Sequence, residues 1–262
     1  RTTLHRSSAA SDVYKRQGQH FLFDPDILKR VALAGGPVDG ADVIEIGPGP
    51  GGLTRALLDN GVRKLVCVEM DDRFAEALLS WPEASQGRLA VHKGDATAID
   101  WPAFISEHGL GQNIKIVANL PYNVGTPLFV GWLNQMSLFG TMSLMFQKEV
   151  AQRICAKPGS NHYGRLAVLS HAVIEPRMAF TLPPGAFKPP PKVASAVVSA
   201  KPLAEDKAYP HLDALQTVTA AAFGQRRKML RASLKQIMPQ SATTEQLLDS
   251  VGIDPTLSLI HI

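Results

Sequence analysis

Asp42-Val43-Ile44-Glu45-Ile46-Gly47-Pro48-Gly49-Pro50-Gly51-Gly52-Leu53 is the stretch on which the fold turns. Its first five residues are mostly apolar and β-branched, which suits a short strand. They run into a glycine-rich turn in which Gly47, Gly49 and Gly52 match G-x-G-x-x-G. An amphipathic helix is expected over residues 53–58, stopped by Asn60-Gly61. Glycine suits such a turn because a side chain would hold the backbone away from a ligand. Residues 64–69 read as the next strand, and Glu69, twenty residues past Gly49, ends it. An acid at that place can take two hydrogen bonds from a ribose diol.

The same alternation continues along the chain. Asp72 is expected to cap a helix that carries Phe74, Ala77 and Leu78. Residues 89–92 form a third strand ending at Gly94-Asp95, and residues 114–118 a fourth ending at Asn119-Leu120-Pro121-Tyr122. A helix over 128–133 and a fifth strand over 142–146 follow. Strands alternating with helices imply right-handed crossovers and a mainly parallel sheet. The expected fold class is therefore α/β, with a Rossmann-like sheet. Past Phe146 the pattern loosens. One late strand is expected over 193–198 and a polar linker over 201–210. Helices are expected over 212–223, 226–237 and 244–251, with Thr243 or Thr244 capping the last. This predicts a main domain over 18–200 and a small helical one over 201–256. Residues 1–17 lack any clear period, and 257–262 form an apolar tail with no polar face, so both are set aside as doubtful leader and tail.

Composition narrows the function. The chain has 262 residues, 45% hydrophobic and 19% charged, with mean hydropathy near zero. That is globular rather than disordered composition, in a chain long enough to bury a sizeable core. Two cysteines, Cys67 and Cys155, exclude a disulfide framework and a four-thiolate zinc site. They read as reduced thiols of a cytoplasmic protein, and no metal is expected. No apolar run reaches the roughly 18 residues of a membrane span, and the first residues lack a signal-peptide pattern.

The glycine spacing and Glu69 together suit an adenosine-containing ligand. Alone, they fit a nicotinamide dinucleotide, or a tight turn with no ligand at all. Three features shift the expectation to S-adenosylmethionine. Glu45 precedes the loop, where an acid repels a pyrophosphate but tolerates a sulfonium and an ammonium. Pro48 and Pro50 remove two backbone donors from an anion cradle. Asp95 ends the third strand, placed to accept from an adenine amino group. All these acids sit at carboxyl ends of strands, where open α/β sheets bind ligands.

Asn119-Leu120-Pro121-Tyr122 has the residue types to hold a planar amine. An exocyclic adenine N6 is a poor nucleophile because its lone pair is delocalised into the ring. Acceptors aimed at its two N–H bonds favour pyramidal nitrogen. The Asn119 side-chain oxygen and the Leu120 carbonyl are candidates for that work. Pro121 stiffens the turn and restricts Leu120 to extended backbone. Tyr122 offers a ring face for stacking. An isolated Asn-Leu-Pro-Tyr is more simply a strand-to-loop turn with a buried tyrosine; its place at a strand end argues for the chemistry.

The chain resembles the KsgA-type ribosomal RNA adenine dimethyltransferases over residues 18–255. The matching segments are Gly18-Gln19-His20-Phe21-Leu22, Glu45-Ile46-Gly47-Pro48-Gly49, Val68-Glu69-Met70-Asp71, Gly94-Asp95-Ala96 and Asn119-Leu120-Pro121-Tyr122-Asn123. Gln147-Lys148-Glu149-Val150, Tyr163-Gly164-Arg165-Leu166, residues 187–193 and Phe223-Gly224-Gln225-Arg226-Arg227-Lys228 follow in order. The resemblance implies dimethylation of two adjacent adenosines near the 3′ end of small-subunit rRNA, with S-adenosylmethionine as methyl donor. It implies donor contacts from His20, Leu22, Gly47, Gly49, Glu69, Asp95, Ala96 and Asn119. It further implies that Asn119 and Tyr122 position the target adenine and that Phe187 sandwiches it against Tyr122. A base inside RNA must leave its stack to reach such a pocket, and aromatic stacking offsets part of that cost. The expected partner is the small ribosomal subunit or its precursor, through the 3′-terminal rRNA hairpin, with the chain acting as a monomer and no membrane involved. Two departures stand out. His20 occupies a place where relatives often carry Asn, and it is assigned contact rather than acid–base work. The chain stops soon after Gly252-Ile253-Asp254-Pro255, about one helix short, so the small domain is expected to be truncated.

The charge is unevenly spread. Residues 1–142 carry 13 basic and 15 acidic side chains, and residues 143–262 carry 14 and 8. Arg226, Arg227, Lys228, Arg231 and Lys235 crowd one expected helix, only three of them at four-residue spacing, so the charge is spread around it. A solvated helix face is the plain explanation of such a run. Contact with rRNA phosphates is the functional one, shared with Lys148, Arg153, Arg165, Lys188 and Lys192. Three other functions remain open on the sequence: an Erm-like enzyme acting on large-subunit rRNA, an NAD-dependent oxidoreductase, and a binding protein that has lost catalysis.

Overall fold

The computed structural model describes residues 20–238 and 242–260. Gly18 and Gln19 of the first matching segment, the doubtful leader and the last two residues lie outside them. The elements are β1 (Phe21–Leu22), α1 (Pro25–Leu33), β2 (Asp42–Ile46), α2 (Gly52–Asp59), β3 (Lys64–Glu69), α3 (Asp72–Leu79) and α4 (Pro82–Ser85). Then come β4 (Leu89–Lys93), α5 (Trp101–Glu107), β5 (Ile114–Asn119), α6 (Gly125–Leu133), β6 (Phe139–Gln147) and α7 (Lys148–Ile154). The rest are α8 (Arg165–Val173), β7 (Ile174–Leu182), β8 (Phe187–Lys188), β9 (Ser195–Pro202), α9 (Leu212–Gly224), α10 (Leu230–Ser233) and α11 (Thr244–Ser250). These residues fall into two compact units. One takes in the chain up to Ala151 with Glu175–Pro202, the other Gln152–Ile174 with Leu203–Ile262.

The first unit is built on a seven-stranded sheet in the order β4-β3-β2-β5-β6-β9-β7. Strands β4, β3, β2, β5 and β6 are parallel, and β9 runs antiparallel to β6. All five residues of β2 are buried, which explains its near-continuous apolar reading. The chain steps from β2 to β3 and β4 on one side, then returns to place β5 on the other. That reversal opens a crevice at the carboxyl ends of β2 and β5. Val43, Leu57 and Leu65, fully buried, help form the apolar cluster beneath it. Each such side chain contributes about 2 kcal/mol on leaving water.

Three local expectations are corrected. The cap of α3 is Asp71, whose carboxylate accepts from the Arg73 N–H at 3.0 Å, and Asp72 is the first helical residue. Strand β7 was unforeseen because Pro176 interrupts its sequence. It lies at the edge of the sheet, where proline's missing donor is tolerated. The helix expected over 226–237 is broken. α9 ends at Gly224, the Lys228 N–H closes a turn onto the Gln225 carbonyl at 2.8 Å, and only Leu230–Ser233 is α-helical. The break lets Leu230 and Leu234 enter the small cluster of the second unit with Ala221, Ala222 and Leu248.

That second unit begins earlier than the expected boundary near residue 201, because it also claims Gln152–Ile174. Within it the Leu203 N–H donates to the Val173 carbonyl and the Tyr209 N–H to the Ala172 carbonyl, tying the polar connection to α8. Thr243 caps α11 in a reciprocal box with Gln246. Part of the tail set aside on sequence grounds is used. The Leu257 carbonyl accepts from the Leu230 N–H at 2.7 Å, Ser258 is buried, and Leu259 packs on the cluster. No helix among the described residues is long and apolar enough to cross a membrane.

Candidate active site

The site lies within the first unit, where four strand ends meet one cavity. Gly47 follows β2, Glu69 ends β3, Asp95 follows β4 and Asn119 ends β5; all four line it. His20, Leu22, Gly49, Ala96, Leu120 and Tyr122 line it too. Every residue expected to touch the methyl donor is thus gathered in one place.

The glycine turn has no backbone donor to spare between Gly47 and Gly51. The Gly47 N–H donates to the Val68 carbonyl at 2.9 Å, Gly49 to Glu69 Oε2 at 2.9 Å, and Gly51 to the Pro48 carbonyl at 3.0 Å. Pro48 and Pro50 have no N–H to offer. Between Gly47 and Gly51 the turn is therefore a poorer pyrophosphate cradle than a loop with several free N–H groups. Its glycines serve shape instead. Gly49 has φ of 54°, and a Cβ there would stand 2.6 Å from the Phe21 ring. Gly51, outside the spacing motif, has φ of 86° and touches Trp81 in the same way.

The carboxylates differ in state. Glu69 is 5% exposed and doubly held, since Oε1 accepts from the Asp71 N–H at 2.8 Å while Oε2 takes Gly49. Each oxygen keeps a further lone pair for a hydroxyl. Asp95 accepts the Thr97 N–H at 2.8 Å, which holds its carboxyl below the usual range and keeps it ionised. Glu45 is 1% exposed and burial pushes it up to about 7. Its Oε2 accepts from the Cys67 thiol at 3.4 Å, and the Thr54 hydroxyl beside it favours the ionised form. A buried carboxyl beside this turn suits a cationic ligand such as S-adenosylmethionine better than a pyrophosphate.

On the other side of the cavity, the Asn119 amide is fixed. Its Nδ2 donates to the His20 carbonyl at 3.0 Å, which leaves Oδ1 as the open acceptor. The Leu120 side chain is buried, so its carbonyl is the group left to act. The Tyr122 ring centroid lies 5.7 Å from that of His20 at an interplanar angle of 36°. Burial raises the Tyr122 phenol above its ordinary value and keeps it neutral. Its hydroxyl shares a 2.8 Å hydrogen bond with Ser195 Oγ. His20 Nδ1–H donates to the Pro189 carbonyl at 2.8 Å, and β1 pairs antiparallel with β8, Leu22 opposite Phe187.

Phe187 is not where the resemblance leads one to expect it. It is 2% exposed, packed in the apolar cluster with Leu22, and absent from the cavity lining. Sequence reasoning also missed residues. Met70 lines the cavity and is largely exposed; its only signal was to follow Glu69. Phe21 carried no signal for its place over Gly49, nor Ser195 for its bond to Tyr122, 73 residues away.

The nine expected RNA contacts are all exposed. Lys148, Lys188 and Lys192 belong to the first unit, and Arg153, Arg165, Arg226, Arg227, Lys228 and Arg231 to the second. Arg226, Arg227 and Lys228 sit on the turn after α9 rather than on a helix, with the Arg226 guanidinium 5.8 Å from the Phe223 ring centroid.

The chain is similar to known ribosomal RNA methyltransferases. A family model described as "Ribosomal RNA adenine dimethylase" matches residues 11–259. The ribosomal RNA small subunit methyltransferase A of Agrobacterium fabrum is 49% identical over 249 residues, covering 94% of this chain and 87% of that protein. Among solved structures, a dimethyladenosine transferase from Plasmodium falciparum superposes with TM-score 0.75 at 25% identity, covering 93% of both chains. A 23S rRNA methyltransferase, ErmE, superposes with TM-score 0.65 at 24% identity, over 91% of this chain and 93% of its own. That last likeness is one of fold, so the fold does not separate the two rRNAs.

Proposed function

The chain belongs to the ribosomal RNA adenine dimethylase family, and from that premise we propose that it transfers methyl groups from S-adenosylmethionine to N6 of two adjacent adenosines near the 3′ end of small-subunit rRNA. The product is N6,N6-dimethyladenosine. The bound donor supplies an electrophilic methyl group on a sulfonium sulfur.

The chain's own residues do the rest. Glu69 takes the ribose hydroxyls, Asp95 takes the adenine amino group of the donor with Ala96 beside it, and Gly47, Gly49, His20 and Leu22 enclose the remainder. Asn119 Oδ1 and the Leu120 carbonyl accept the two N–H bonds of the target amine. That pulls its nitrogen out of conjugation and directs the lone pair along the line of transfer. Tyr122 stacks on the base once it has left its helix. The cationic nitrogen formed by transfer loses its proton readily, so no strong base is required. Rate enhancement comes from proximity and orientation. Outside the pocket, the exposed lysines and arginines named above contact rRNA phosphates of the small subunit or its precursor, in the cytoplasm, with the protein acting as a monomer.

The observation that carries this proposal is the Asn119 amide, donating to the His20 carbonyl with Oδ1 left open at the end of β5. The test is incubation with labelled donor and either undermethylated small subunits or large subunits. Label in the small-subunit RNA is expected. Label confined to the large subunit overturns the proposal in favour of an Erm-like enzyme.

A further inference from the structure

The Tyr122 side chain ends on a partner outside the cavity lining. Its hydroxyl lies 2.8 Å from Oγ of Ser195, the first residue of β9. Ser195 is fully buried, and it sits opposite Gln147 in the antiparallel β6–β9 ladder. Asn119 is placed by the end of a parallel strand, whereas Tyr122 reaches β9, the antiparallel neighbour of β6.

We propose that Ser195 is a positioning residue for methyl transfer: its hydroxyl fixes the direction in which the Tyr122 ring points and so the place where the base stacks on it. The inference rests on the function proposed above. A tyrosine has two side-chain torsions, and stacking fixes neither of them when the base is absent. Packing against His20 restrains one side of the ring, at 36° rather than parallel. The bond to Ser195 ties the far end of the ring to the central sheet, which a loop residue could not do with the same rigidity. Asn119 is tied in the same manner, to the His20 carbonyl. The two groups that hold the base are thereby oriented from two separate elements. Holding the ring before the base arrives removes an ordering cost from the transition state, so the effect falls on turnover and on RNA binding and spares the donor.

The experiment compares wild type, Ser195→Ala, Tyr122→Phe and the double variant, using undermethylated small subunits. It reads kcat, KM for the subunit, donor affinity by calorimetry, and Tm. Tyr122→Phe keeps the ring and removes only the hydroxyl, so it covers the case in which Ser195→Ala folds poorly. Both single variants are expected to lose about tenfold in kcat/KM, with donor affinity and Tm close to wild type. The double variant is expected to be no worse than either single one, because both remove the same bond. Active wild type with unchanged single variants, or with losses that multiply in the double variant, overturns the proposal alone. Wild type that fails to methylate small subunits overturns the function on which it rests.

Discussion

The two halves of the site are held together differently. On the donor side, the glycine turn is braced by its immediate surroundings: Gly47 by Val68, Gly49 by Glu69, and Gly51 by Pro48. These partners lie on the next strand or within the turn itself. On the base side, Asn119 is braced by His20, 99 residues away, and Tyr122 by Ser195, 73 residues away. A locally braced turn binds a small, constant cofactor. A pair of side chains braced from distant elements must align a large RNA's base to within tenths of an ångström. Donor binding and base alignment are therefore separable, and substitutions should divide them.

The sharpest division is expected at Asn119. Asn119→Ala removes an acceptor that matters most in the transition state, and a loss of about a thousandfold in turnover is expected. Donor affinity, measured by calorimetry, should change by less than about fivefold. Loss of donor binding to the same degree as turnover would break the comparison, because Asn119 would then serve both sides equally.

Phe187 tests where the base side ends. Phe187→Ala empties a site packed beneath β1, so urea unfolding is expected to show a loss of about 3–5 kcal/mol. Unchanged stability with lost methylation would move Phe187 out of the core and onto the base.

Glu45 tests the donor side. Its folded value of about 7 lies above its ordinary 4.5, so the folded protein keeps a proton that the unfolded chain gives up. The sign follows. Its contribution to stability is greatest below pH 4.5 and is lost as pH rises through about 7, amounting to on the order of 3 kcal/mol. Urea unfolding of the donor-free protein should show this fall, and Glu45→Gln should abolish it. An identical pH profile in the variant would show that Glu45 is not ionising in that range.

The smallest expected effect is at the turn after α9. Replacing Arg226, Arg227 and Lys228 by alanine should weaken subunit binding and flatten its dependence on log salt by about 2, since each neutralised phosphate adds roughly 0.7–0.9 to that slope. kcat at saturating subunit should hold. An unchanged salt slope would remove this turn from the RNA-binding surface.

The same contrast explains what was legible in the sequence. β2 and β3 match their expected ranges to the residue, because an apolar run into a glycine turn is a local signal. Glu69 and Asp95 were expected at the ends of consecutive strands, and both line the cavity. β7 was hidden by Pro176, since the tolerance of a proline depends on which strand becomes the edge. The expected 226–237 helix failed because propensity and charge pattern do not reveal that Leu230 and Leu234 must turn inward to fill a small core. Phe187 was placed at the base by resemblance alone, and no local signal foretold its pairing opposite Leu22. The Ser195–Tyr122 bond had no local sign at all, because only the order of strands in the sheet brings them together.

The most direct measurement is the identity of the modified nucleosides. Undermethylated small subunits are treated with enzyme and S-adenosylmethionine, the RNA is digested, and the products are mapped by mass spectrometry. N6,N6-dimethyladenosine at two adjacent positions in the 3′-terminal hairpin is the predicted result. A methyl group on an oxygen or on a cytosine carbon would contradict the account, because Asn119 and Leu120 would then be holding no amine.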